Sequence, residues 1–202
     1  MNLKYIQQEA VLVDSTKEPV KRINEVARVC YRSSVPDEIV QQNFVKNLIS
    51  KGHESPLEFV DFTWFLTTNR GIANELVRHR LASYMQESTR YINYENMEVI
   101  EPEEKRGSYS AEDIEHAYGN AVMAYHELLK KGVTKQFARD VLPLGLATRM
   151  YCKMNLREFR HFLSLRLGIS AHPSMRTLAQ KMMQTIYDTY ELHEASTLFY
   201  SM

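Results

Sequence analysis

Glycine is scarce, with seven in 202 residues. None falls in a GxGxxG or P-loop pattern, so no Gly-rich turn is available to cradle a dinucleotide or a nucleoside triphosphate. Cysteine is scarcer: Cys30 and Cys152 are the whole supply. Two give neither a disulfide framework nor a zinc pattern and point to reduced thiols in a reducing compartment. None of the seven histidines forms an HExxH pair, so no metal site is expected. No apolar run approaches the roughly 20 residues that span a bilayer. The first residues lack the basic start and apolar stretch of a secretory signal. A cytoplasmic protein with no membrane partner is the expectation. Excess charge is missing too, because 25 basic and 25 acidic residues cancel. That argues against general nucleic-acid binding while leaving room for a local anion site.

What is present is an ordinary globular balance, 44% hydrophobic and 25% charged. There is no repeat, low-complexity tract or linker. The length suits one domain over residues 1–202, or at most two small ones, with a sizeable core. The periodicity predicts a strand over 4–14 and a helix over 18–31. A second helix is expected over 37–50, opened by Asp37 and closed by Gly52. Val60, Phe62, Trp64 and Leu66 then alternate with polar residues, which is the pattern of a half-buried strand. Asn69 opens a helix expected over 70–82, and residues 89–101 read as extended. Ser110 with Asp113 resembles a capping box for a helix ending at Gly132. A short helix follows Thr134 and a strand covers 146–153. Asn155 caps a helix to about 167, and Pro173 starts a long last helix. The fold class is α+β, helices packed on a mainly antiparallel sheet.

Arg78, His79 and Arg80 put three basic side chains together at a helix end. Basic residues there also suit the helix dipole, so the triplet alone says little. Ser83, Gln86, Ser88 and Arg90 follow within ten residues. They add hydroxyls, an amide and another guanidinium, the donors that hold a phosphate.

The run RHRLASYMQESTRY fills every fixed position of RHRxxSxxxxSxR, and so resembles the signature of the flavin-dependent thymidylate synthases. Three further elements occur in that family's order. They are Gly52-His53-Glu54-Ser55-Pro56-Leu57-Glu58, then Asn155 through Phe162 with Leu165-Arg166, then Ala171-His172-Pro173 with Met175-Arg176. The resemblance runs from about residue 23 to 180. Met85 stands where many members carry a polar residue; Glu75 and Ser164 also differ from some members. The run 142–147 is less polar than in the branch sharing the His-Pro-x-Met-Arg element.

The resemblance implies conversion of deoxyuridylate (dUMP) to thymidylate. Methylenetetrahydrofolate would supply the carbon, and NADPH-reduced FAD the hydride. Cofactor-side residues are implied at Ser55, Glu58, Arg78, His79, Arg80, Gln86, Ser164, Arg166 and Ser170. Nucleotide-side residues are implied at Glu75, Arg78, Gln86, Glu87, Ser88, Thr89, Arg90, Arg149 and Arg176. Arg176 has the catalytic role beside the uracil edge. Ser88 is expected to hydrogen-bond nucleotide rather than attack, since no activating triad is evident. Tyr91 is a candidate to stack on flavin or folate. His53 could serve a ligand site or simply end a helix, and His161 is expected to pack. The aromatics Phe59, Phe62, Trp64 and Phe65 read as core. The resemblance also implies a homotetramer with active sites shared between subunits. Two other readings stay open. One is a paralogue that methylates or hydroxymethylates another pyrimidine nucleotide, such as UMP. The other is a non-enzymatic nucleotide- or RNA-binding module.

Overall fold

In the computed structural model, which describes residues 3–94, 96–102 and 111–202, the chain opens with β1 (Lys4–Ile6), β2 (Glu9–Ser15), α1 (Pro19–Arg28) and α2 (Glu38–Ser50). It continues through β3 (Asp61–Asn69), α3 (Arg70–Leu76), β4 (Ala82–Gln86), β5 (Glu98–Ile100), α4 (Ala111–Lys130) and α5 (Lys135–Ala138). It closes with β6 (Ala147–Asn155), α6 (Leu156–Arg166), α7 (Pro173–Thr189) and α8 (Leu192–Leu198). A four-stranded antiparallel sheet has the order β2-β3-β6-β4. β1 pairs with β5 in parallel, Tyr5 opposite Val99. The α+β class therefore holds, with one parallel pair added.

Local chemistry starts the helices where the sequence said. Asp37, Asn69 and Asn155 each cap a helix by accepting a backbone N–H, and Pro173 is the first residue of α7. Past α2, Gly52 adopts φ 72°. Its N–H reaches Ile49 O and that of His53 reaches Leu48 O. This is the Schellman arrangement, which a left-handed glycine permits without strain.

Several boundaries differ. The strand expected over 4–14 breaks at Gln7–Gln8, because β1 joins β5 while β2 joins β3. Gln8 turns inward and accepts from buried Thr68 at 2.6 Å. The helix expected over 18–31 ends at Arg28 in a 3-10 turn, Val29–Tyr31. The helix expected over 70–82 ends at Leu76; residues 77–81 form a turn and Ala82 opens β4. The chain turns before Ala82 so that β4 can pair with β6, and that tertiary demand overrides the helical spacing. Among the described residues of the stretch 89–101, only Glu98–Ile100 is strand. The last helix divides into α7 and α8. Ser110, half of the expected capping box, lies outside the described residues.

Two compact units are distinguished. The first comprises Met1–Glu9, Leu66–Arg78 and Met85–Met150. Its core gathers Tyr94, Met97, Val99, Val122, Tyr125, Ala138 and Leu146. The second comprises Ala10–Phe65, His79–Tyr84 and Tyr151–Met202. Its core is aromatic: the Trp64 ring lies 4.7 Å from Phe159, and Phe62 lies 6.0 Å from Phe159. Trp64 donates its indole N–H to Thr185 at 2.9 Å, which removes the cost of burying that polar atom. Phe65 pairs with Tyr151 at 5.1 Å. Phe59, read as core, is 59% exposed, because the 3-10 turn Ser55–Phe59 breaks the strand spacing before it.

Candidate active site

Arg78, His79 and Arg80 lie in the turn after α3, where Arg78 N–H bonds Glu75 O at 3.2 Å. Their side chains alternate: Arg78 and Arg80 are exposed, His79 is buried. β4 continues the alternation, with Ser83 and Met85 outward and Tyr84 and Gln86 more covered. Met85 is 74% exposed, so its departure from the family pattern alters a surface and not a core.

In the first unit, Gln86, Glu87 and Arg149 of the nucleotide-assigned residues form a connected set. Gln86 donates to Thr148 Oγ1 at 3.2 Å, and Arg70 reaches the same hydroxyl at 3.4 Å and Glu87 O at 3.5 Å. Glu87 N–H bonds Arg149 O at 3.0 Å, and Arg149 N–H returns a bond to Glu87 Oε2 at 3.0 Å. The Arg149 guanidinium also meets Glu98 at 2.5 Å and Glu87 at 3.6 Å. Hydrogen bonds from Arg149 and Lys4 hold the Glu98 carboxyl below its ordinary range, and Glu98 raises Arg149 in return. Arg149 is thus charge-balanced and fixes the 87–90 loop.

That loop turns at Ser88, whose Oγ accepts from Arg90 N–H at 3.3 Å while its carbonyl accepts from Tyr91 and Ile92. Thr89 is buried and accepts from Arg139 at 3.3 Å. Arg90 is exposed, 3.5 Å from Gln136 and 5.7 Å from the Tyr91 ring centroid. Tyr91 itself is 75% exposed. Glu75 is half-buried and lies one turn before Arg78.

In the second unit, the flavin-assigned residues are only partly linked. His79 Nδ1 faces Glu158 at 3.2 Å, and His79 Nε2 accepts from Arg166 Nε at 3.1 Å. Burial is the main cause holding His79 below its ordinary pKa; Glu158 opposes this and Arg166 reinforces it. Tyr84 donates to His79 O at 2.9 Å, and burial raises its phenol. Burial likewise pushes the neighbouring Cys152 thiol up to about 12, so it is inert at neutral pH.

Ser55 is exposed at the start of the 3-10 turn, and Glu58 in that turn pairs with Arg157 at 2.6 Å. Ser164 donates to His161 O at 2.7 Å. Ser170 is exposed between α6 and α7. Arg176 is half-buried in the first turn of α7, where its N–H bonds His172 O at 3.0 Å. An open cleft of about 850 Å³ is lined by Glu54, Leu81, Arg157, Glu158, His161 and Ser164, among others. His161 lines this cleft and is exposed, so the expectation that it packs is wrong. Its position on α6 faces outward while Phe159 and Phe162 take the core. His172 caps α7 by accepting from Ser174 N–H, and His53 is an exposed helix-end residue.

Sequence reasoning missed Arg70, Glu98, Arg139 and Thr148 around the nucleotide set, and Glu158 beside His79. Thr148 adjoins Arg149, and Glu158 lies inside a matched element; neither Glu98 nor Arg139 carries a motif. Among the described residues, no three His, Cys, Asp or Glu side chains are placed to hold a metal. No helix among them is long and apolar enough to cross a membrane.

A family model described as thymidylate synthase complementing protein matches residues 11–190. The flavin-dependent thymidylate synthase of Pyrococcus abyssi is 36% identical over 194 residues, covering 90% of this chain and 80% of that protein. The enzyme of the same name from Geobacter sulfurreducens is 34% identical over 188 residues, 87% of this chain and 80% of that one. A crystal structure of the UMP/dUMP methylase PolB from Streptomyces cacaoi, bound with 5-Br dUMP, superposes with TM-score 0.81. It is 26% identical and covers 99% of this chain and 98% of its own.

Proposed function

Because the chain belongs to the thymidylate synthase complementing protein family, whose curated relatives are flavin-dependent thymidylate synthases, we propose that it converts dUMP to dTMP. Methylenetetrahydrofolate is the carbon donor, NADPH the source of reducing equivalents and FAD the cofactor. The observation that carries this reading is the complete RHRxxSxxxxSxR run, with Gln86, Glu87 and Arg149 already networked behind it. The catalytic domain takes in residues 1–202.

The donor set fits a flavin dinucleotide. Arg78 and Arg80 expose guanidinium groups suited to a diphosphate, and Arg166 is oriented by His79. Ser55, Glu58, Gln86, Ser164 and Ser170 complete the proposed cofactor contacts. Bound flavin supplies the hydride that reduces the transferred carbon. The chain's own residues bind and polarise the nucleotide. Arg90 grips the phosphate, with Arg78, Ser88 and Thr89 beside it, and Glu75 and Glu87 complete the substrate contacts. Arg176 lies beside the uracil edge. It stabilises negative charge on the ring after loss of the imide proton, which makes the ring more nucleophilic. The working assembly is a homotetramer with active sites shared between subunits, in the cytoplasm.

The structural neighbour is described as a UMP/dUMP methylase, which favours one second reading, the same chemistry on UMP. Purified protein should be yellow and release FAD on denaturation. Separate incubations with UMP and dUMP, read by product mass, decide between the two nucleotides. A protein that takes up no FAD even after reconstitution rules out both.

A further inference from the structure

Glu158 has no role in the family assignments carried over above. It lies in the first turn of α6, buried, and its N–H is capped by Asn155 at 2.9 Å. Glu158, Phe162 and Arg166 recur at intervals of four and so share one helical face. His79 packs onto that face from the turn after α3. Its ring meets Phe162 edge-on at 5.0 Å, and His161 lies 6.3 Å away.

The hydrogen-bond direction follows from donor chemistry alone. Arg166 Nε always carries a hydrogen and cannot accept. His79 Nε2, 3.1 Å from it, must therefore present a lone pair. A neutral imidazole with its lone pair on Nε2 bears its proton on Nδ1. That proton points to Glu158 Oε1, 3.2 Å away. The sequence of donors is Arg166 to His79 to Glu158. A doubly protonated His79 would set N–H against N–H and release Arg166.

We propose that Glu158 is a positioning residue: it locks the Nδ1–H tautomer of His79, and His79 in turn fixes the plane of the Arg166 guanidinium for the cofactor. The role of Arg166 toward flavin rests on the proposed function; the tautomer does not. The charged and titratable groups facing His79 are Glu158, Arg166 and His161. Of these, the Glu158 carboxylate favours protonation, while Arg166 and His161 oppose it.

The test uses the FAD-loaded protein and three readouts. Imidazole nitrogen NMR, with His79 assigned against a His79→Gln variant, should show a neutral Nδ1–H ring at neutral pH. Glu158→Leu removes the acceptor and should weaken FAD binding by about tenfold, the scale of one charge-assisted hydrogen bond. dUMP affinity should stay near wild type. Glu158→Gln keeps an accepting oxygen and should restore most of the affinity. Because it removes the negative charge, it should also move acid release of FAD to lower pH. A purely structural role for Glu158 would leave that pH unmoved. An Nε2–H tautomer in the wild type overturns the proposal, and so does a Glu158→Leu protein that holds FAD as tightly as wild type. If Glu158→Leu does not fold, the wild-type tautomer and the Glu158→Gln release profile decide. If wild-type protein binds no FAD, the flavin reading fails instead, and the tautomer of the apoprotein still judges the relay.

Discussion

Arg90 is the exposed guanidinium of the loop that turns at Ser88. Its contacts, to Gln136 at 3.5 Å and over the Tyr91 ring, leave the fold little dependent on it. Arg90→Ala should therefore weaken dUMP binding by about 1.5–3 kcal/mol, the worth of a charged hydrogen bond to phosphate, with FAD binding little changed. Calorimetric titration of each ligand reads this, and equal losses would mean the loop is assigned to the wrong ligand. His79 behaves differently because it is buried. Its folded pKa lies below the ordinary 6.5, so on acidification the unfolded chain takes up the proton first. Stability from this group is full above about 6.5 and declines as pH falls from there toward the folded pKa. Thermal melting followed downward from neutral pH should show that decline, and His79→Gln should flatten it. The exposed basic residues of this segment were legible because the motif is local. The inward turn of His79 was not: its partner Glu158 is 79 positions away in sequence, and nothing near either residue announces the pair.

At the scale of elements, caps were readable and tertiary stops were not. Asn155 accepts from Glu158 N–H at 2.9 Å and so starts the helix that carries Glu158 and Arg166. Asn155→Ala should cost about 1 kcal/mol, a fall of about 2–4 °C in Tm for a chain of this size. Asn155→Ser should recover most of it, since a hydroxyl also caps. An unchanged melting curve for the alanine variant would mean the cap contributes nothing. The same local chemistry explains why Asp37, Asn69 and Pro173 marked their helix starts correctly. The end of α3 lacked any such mark. Leu76 and Val77 continue the apolar spacing, yet the chain turns over residues 77–81 before β4 pairs with β6. The break at Gln7–Gln8 is similar, because two different strand partners impose it.

At the scale of the molecule, composition and alternation gave the α+β class and the antiparallel sheet, while the division into two units left no trace in composition. The nucleotide-assigned residues, Arg176 excepted, fall in the first unit; most flavin-assigned residues fall in the second. Sequence motifs supplied both sets, but side-chain geometry was needed to reveal the Arg149–Glu87–Glu98 and Arg166–His79–Glu158 networks. Sedimentation of the purified protein should give a tetramer, and a stable, active monomer would contradict shared active sites. The central claim is the reaction itself. FAD-loaded protein is incubated with dUMP, methylenetetrahydrofolate and NADPH, and the nucleotide product is analysed by mass. The account predicts dTMP, formed only when all three are present. An FAD-bound protein that leaves dUMP unchanged, or that methylates UMP in its place, would contradict it.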